Sequence, residues 1–251
     1  MTHRDFLPLA LLLLAGAAAP AAAQTATTAA PAHGFVGIDA GYQSAPAATT
    51  TTATYTLNLE DASVTATYEG NPGPVFGARG GIRVWKGLAI GGGVAVFRQT
   101  GNAQVSARLP HPFYLNDHRE GTITLGGFDR RETLVALEAS WIVQAGSRTD
   151  VMVFGGPAFF TASRTVAGEV RYTESYPYDE ISITDAERRS ESASATGFTV
   201  GADVSYRFSR TVGVGGLVRY ARASASFGSG SETAAVDLGG LQASGGIRFR
   251  F

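Results

Sequence analysis

The sequence predicts an all-β fold, an eight-stranded antiparallel up-and-down barrel, and three observations lead there. Apolar and polar residues alternate with period two in one segment after another. The connections between these segments are short and long by turns. The chain closes on GLQASGGIRFRF, in which Leu241, Ala243, Gly245, Ile247, Phe249 and Phe251 oppose Gln242, Ser244, Gly246, Arg248 and Arg250.

The first strand is FVGIDAGYQ, where Val36, Ile38, Ala40 and Tyr42 alternate with Gly37, Asp39, Gly41 and Gln43. VFGARGGIRVW follows, with Phe76, Ala78, Gly80, Ile82 and Val84 against Gly77, Arg79, Gly81 and Arg83. LAIGGGVAVF sets Leu88, Ile90, Val94 and Val96 against small residues. ETLVALEASWIV sets Val135, Leu137, Ala139, Trp141 and Val143 against Ala136, Glu138 and Ser140. VMVFGGPAFFT is apolar on both sides and cannot be phased, and Pro157 is awkward within a ladder. GFTVGADVSYRF places Phe198, Val200, Ala202, Val204, Tyr206 and Phe208 opposite a face that carries Asp203 and Arg207. VGVGGLVRYA places Val212, Val214, Val218 and Tyr220 opposite Gly213, Gly215 and Arg219. With the closing segment these are eight strands.

Tight turns fall at Trp85–Leu88, Ala145–Asp150 and Phe208–Val212. Long polar stretches fall at Ser44–Pro74, Arg98–Phe128, Ser163–Thr196 and Arg222–Ala234. That asymmetry predicts short periplasmic turns at one end and long extracellular loops at the other. In the first of the long stretches, TTTTATYTLNL and SVTATYEG are β-prone runs suited to extend the barrel as a hairpin above the membrane. Each strand is near the ~9–11 tilted residues that cross a bilayer. The polar face is largely glycine, alanine, serine and single charges, which suits the crowded interior of a small barrel. The apolar face is bulkier and places Tyr42, Phe76, Trp141, Phe208, Tyr220 and Phe251 near strand ends, where interfacial girdles belong. The barrel is therefore expected to be transmembrane, with its apolar set facing lipid.

The N-terminal stretch has Arg4, an apolar run from Phe6 to Ala19 and an Ala21-Ala22-Ala23 cleavage pattern before Gln24. It reads as a signal peptide over residues 1–23, followed by a flexible segment over 24–33 and the barrel over 34–251. The chain has no cysteine, which excludes a lipid-anchoring cysteine, disulfides and thiolate metal sites. A net charge of −1 gives no reason to expect nucleic acid as a partner.

On the signal peptide, the eight strands, the unequal connections and the terminal aromatic strand, the chain resembles the small eight-stranded outer-membrane barrels, the OmpA transmembrane-domain and OmpX-like family. The resemblance implies a bacterial outer-membrane location. It also implies that Phe249 and Phe251 form the signal read by the barrel-assembly machinery. It brings no motif that specifies an activity.

Candidate chemistry lies on the inward face and in the loops. Asp39, Arg79, Arg83, Glu138, Asp203, Arg207, Arg219 and Arg248, together with Arg250, share the inward face and are expected to pair, because an unpaired buried charge is costly. His111 and His118, near Asp117 and Glu120, match no zinc spacing. A lipid-modifying enzyme would require a pair such as Ser106 with His111, or Ser140 with Glu138, and no Gly-x-Ser-x-Gly elbow is present. Glycine runs at Ala89–Val94 and Gly213–Gly216 lie within strands with no helix after them, so they are not phosphate loops. Tyr172, Tyr176 and Tyr178 mark a loop suited to contact a partner. The expected function is non-enzymatic and without a cofactor or metal: a barrel in outer-membrane lipid that presents long loops to an extracellular partner. A narrow pore is the second reading, and a lipid-modifying enzyme the third.

Overall fold

The computed structural model describes residues 33–44, 48–227 and 234–251. The proposed signal peptide and residues 24–32 lie outside the described residues. Ten strands follow in order: β1 (Gly34–Gln43), β2 (Thr49–Leu57), β3 (Glu60–Tyr68), β4 (Gly73–Trp85), β5 (Leu88–Pro110), β6 (His118–Gln144), β7 (Thr149–Glu174), β8 (Ile181–Arg207), β9 (Val212–Phe227) and β10 (Ala234–Arg250).

Eight of them close a ring. Ile38 of β1 stands opposite both Ile247 of β10 and Ala78 of β4. Ala78 meets Val94, Val94 meets Val135, and Val135 meets Phe159. Val153 meets Ala202, Ala202 meets Val218, and Val218 meets Ala243. All pairings are antiparallel, so the barrel is up-and-down with no open edge at this level. A ring this small requires close strand contact at Gly91, where a Cβ would come 2.0 Å from the Gly80 carbonyl oxygen.

The outward residues form an apolar band between two aromatic girdles. Tyr42, Phe76, Phe159, Phe198 and Tyr220 ring the end with long connections. Trp85, Trp141, Tyr206, Phe208 and Phe249 ring the turn end, and Phe251 beyond them is also exposed. Strand β7, which has no legible phase, turns Val151, Val153 and Phe159 outward and buries Met152, Phe154 and Phe160. Both of its faces are apolar because lipid lies on one side and an apolar stretch of lumen on the other. Pro157 lacks a donor, and the β6–β7 ladder is interrupted there, between the Ala136–Ala158 and Ala139–Gly155 pairs.

The first long polar stretch forms the expected hairpin, β2–β3, and the second and third, expected as loops, are mostly strand. β5 and β6 stay paired out to Pro110 and His118, and β7 and β8 out to Glu174 and Ile181. The hairpin β2–β3 lies alongside this extension, with Ala66 opposite Val105. The first connection thus adds a hairpin above the barrel, so that β2, β3, β5 and β6 form a distal sheet. The β6–β7 ladder ends at Arg130–Arg164, and the β7–β8 extension packs against that sheet through Ile181 and Ile183. Its threonine and serine runs suit strands through cross-strand hydroxyl pairs, such as Thr52–Thr65 at 3.2 Å.

One residue changes the phase of β6. Gly127, with φ of +83°, is an extra residue on that strand at the register shift between Gly101 and Asn102 of β5. Below it Phe128, Leu134 and Ala136 face inward; beyond it Arg119 and Ile123 do. The distal sheet thereby buries apolar clusters of its own, including Ala62, Leu109, Ile181 and Ile183.

The close contact at Gly91 gives a direct test. Gly91→Val is expected to abolish most of the heat-modifiable band that a refolded barrel shows on unboiled SDS gels. The outward substitution Ile90→Val should leave that band intact.

Candidate functional site

The barrel interior is built from the polar parity of the strands, and its charges stack in tiers. Nearest the turn end, Asp150 is completely buried and pairs with Arg207 at 3.1 Å and Arg250 at 2.5 Å. Above it, Arg248 reaches Asp39 at 2.7 Å and donates through Nε to Asp203 at 2.9 Å. Next, the two oxygens of Glu138 divide between Arg79 at 3.3 Å and Arg219 at 3.2 Å. The Arg79 guanidinium stacks on Phe154, 3.8 Å from the ring centre, and Arg219 lies 5.5 Å from the same ring. Of the inward charges read from the sequence, Arg83 alone makes no ion pair among the described residues, and its Nε is buried without a hydrogen bond.

The upper lumen differs from the expected polar interior. Phe97, Leu134, Phe160, Phe227 and Leu238 form a buried apolar cluster there with several alanines. At its margin Glu132 accepts from Gly239 N at 2.8 Å and pairs with Arg130 at 2.6 Å. Gln242 donates to Gln43 at 2.7 Å. The cavity between the charged tiers and the apolar cluster measures about 10 Å³, roughly the volume one water centre occupies.

The strand-based reading missed several of these groups. Asp150 fell in a segment read as a turn. Glu132 began the β6 segment but was not assigned to the inward face. Phe97 and Phe160 were hidden, one at the end of its segment and the other in the strand without a phase. The signal was parity: Phe97 is in step with Ala89, Gly91, Gly93 and Ala95, and Glu132 with Glu138.

The second concentration of functional groups is the far end of the distal sheet. Buried Arg119 pairs with Glu174 and donates to the carbonyls of Tyr178 at 3.2 Å and Pro110 at 3.1 Å. It thereby ties the β5–β6 tip to the β7–β8 tip. Asn116 N donates to Glu60 at 2.7 Å, which adds the β2–β3 hairpin. Around these ties stand Phe113 (71 % exposed), Tyr114, Leu115 and Tyr176 (85 % exposed). Tyr178 packs edge-on against both Phe113 and Tyr176. Tyr172 is placed elsewhere, within β7 and against the apolar cluster of the distal sheet. Tyr55 of β2 has its phenol pushed above the usual range, first by partial burial and then by nearby Tyr172 and Glu169.

The remaining candidates have structural partners. His111 is buried, and its Nδ1 accepts from the backbone of Phe113 at 3.1 Å and Tyr114 at 3.2 Å. Its Nε2 lies 3.6 Å from Asp179. His118 pairs with Pro110 in the ladder, and the Ser106 hydroxyl bonds Thr122 at 3.0 Å. Ser140 is buried on the inward face of β6. Among the described residues no group of three or more His, Asp and Glu side chains is arranged to hold a metal.

The tiers imply unequal costs of substitution. Glu138→Gln leaves two buried guanidiniums facing each other without their counter-ion, and is expected to lower unfolding stability by about 3 kcal/mol or more. Arg83→Gln is expected to change it by less than about 0.5 kcal/mol. Urea unfolding followed by tryptophan fluorescence in lipid vesicles measures both.

No protein-family model and no curated relative matches the chain. Solved structures share its general outline at low identity. The outer membrane protein OprG from Pseudomonas aeruginosa aligns at 11 % identity over 88 % of this chain and 96 % of that one, with a TM-score of 0.46. Neisserial surface protein A aligns at 14 % identity over 87 % and 97 %, with a TM-score of 0.44. The outer membrane protease OmpT from Escherichia coli aligns at 9 % identity over 90 % and 99 %, with a TM-score of 0.48. At such scores the likeness assigns no function. The closed ring of eight antiparallel strands, the outward apolar band between aromatic girdles and the charged interior make this chain a small eight-stranded β-barrel of the membrane-spanning kind.

Proposed function

We propose that the barrel is a non-conducting, non-enzymatic anchor that holds a rigid aromatic tip outside the membrane for contact with an extracellular partner. One observation carries the reading: Phe113, Tyr114, Leu115 and Tyr176 are exposed on hairpin tips that Arg119 and Glu60 tie together. Aromatic side chains held in place lose little conformational freedom on binding, and they supply large contact area. The tip is supported from below by strands that continue without a break from the barrel wall.

The filled interior favours this reading over a pore. A permeating ion would have to displace three tiers of ion pairs and then an apolar cluster, and the cavity between them is about 10 Å³. The engaged Nδ1 of His111 and the Thr122 partner of Ser106 weigh against a hydrolase built on those two residues.

Two measurements test the proposal. In planar bilayers the refolded barrel is expected to be silent at all salt concentrations, and discrete conductance steps would make it a pore. Membrane vesicles that carry the protein are expected to bind surfaces coated with mucin or matrix proteins. Phe113→Ser, Leu115→Ser and Tyr176→Ser combined should weaken that binding by about tenfold or more without impairing insertion. Binding unchanged by the triple substitution would remove the tip from the function.

A further inference from the structure

We infer that Arg98 and Arg131 form a binding site for the phosphate of a membrane-lipid headgroup at the distal rim of the apolar band. The inference rests on the membrane-barrel fold and is independent of what the tip contacts.

Arg98 of β5 and Arg131 of β6 are directly opposite each other in the ladder. Both lie on the outward face and both are exposed. Like charges at such a position repel across the strands. Neither makes an ion pair or a side-chain hydrogen bond among the described residues. The sheet therefore keeps two guanidiniums side by side without supplying their counter-ion.

Their height on the barrel identifies the missing partner. The outward positions just below them are Val96 and Thr133, then Val94 and Val135, which belong to the apolar band. One step past that edge is the headgroup layer of a bilayer, where phosphate oxygens accept from guanidinium pairs with good geometry. The row continues with hydroxyls, since Arg131 is opposite Ser163 and Ser163 is opposite Ser192. Arg98, Arg131, Ser163 and Thr165 line an open hollow of about 380 Å³. Arg130 and Arg164 also line it, but each has its own carboxylate, Glu132 at 2.6 Å and Glu191 at 2.9 Å. Asp129, opposite Thr100, lines it one step further from the membrane, so the hollow keeps an excess of positive charge.

The opposite wall supplies a contrast within the same molecule. Arg222 of β9 is likewise outward at the edge of the apolar band, one step past the girdle residue Tyr220. It has its own carboxylate, Asp237 at 2.9 Å. That arginine is neutralised by protein, whereas the Arg98–Arg131 pair is left to the membrane.

The experiment is native mass spectrometry of the refolded barrel in detergent, titrated with short-chain phosphatidic acid, with diacylglycerol and inorganic phosphate as separate probes. Wild type is expected to hold one phosphatidic acid, and Arg98→Gln with Arg131→Gln to bind it about tenfold more weakly. Arg131→Glu converts the repelling pair into an attracting one, so it should fold at least as well as wild type and still lose the lipid. Arg222→Gln with Asp237→Asn should bind as wild type does. Equal retention of phosphatidic acid by wild type and Arg131→Glu would overturn the site. Equal binding of diacylglycerol would show that the phosphate is not what is recognised. Saturation by inorganic phosphate at the same concentrations would replace a lipid site with one for the free anion.

Discussion

Closure of β1 on β10 is the constraint on which the rest of the structure depends. In hydrocarbon no water is available to a backbone amide, so each N–H and C=O must find its partner within the protein. The Phe35–Arg250 to Gln43–Gln242 pairing meets that demand for the first and last strands together. It also requires a ring narrow enough for eight strands, and the narrow ring restricts what the inside can hold. Glycine and alanine line much of it, and the few long side chains are arginines, carboxylates and phenylalanines that fill the remaining space.

Those fillings occupy separate levels. Near the turn end, each buried carboxylate is shared by two arginines or shares one with a second carboxylate, so the charges are held in a lattice. Above, phenylalanine and leucine exclude water from the same bore. Desolvation makes such tiers costly to build and costlier to break in half. A barrel closed in this way is a stiff support, and the features exposed to other molecules are displaced to its rim and its tips.

The membrane half of this arrangement is legible in the sequence, and the distal half much less so. Between the girdles, lipid on one side and a tight lumen on the other impose period two on each strand, so Ile38, Ile82, Val135 and Val204 declare their face. Strand β7 escapes because its inward Met152, Phe154 and Phe160 are as apolar as its outward Val151, Val153 and Phe159. Beyond the membrane both faces of the sheet are mixed, and the extra residue at Gly127 exchanges inside and outside partway along β6. Alternation read through that point loses phase, and a strand then resembles a polar loop. Asp150 was hidden for another reason: a carboxylate at the end of a turn reads as solvated until the ring shows Arg207 and Arg250 meeting it. Arg119 and Glu174 lie too far apart in sequence for any local pattern to join them.

The unbroken run of β5, β6, β7 and β8 from membrane to tip has a mechanical meaning. A pull on the aromatic tip acts along the strands, so neighbouring strands must slide past one another for the sheet to yield. The hydrogen bonds of antiparallel ladders lie across that direction, and many would have to fail together instead of opening singly from one end. With the hairpin tips cross-tied, tension is spread over several strands before it reaches the bilayer. Under flow, such a sheet behaves as a short stiff mast.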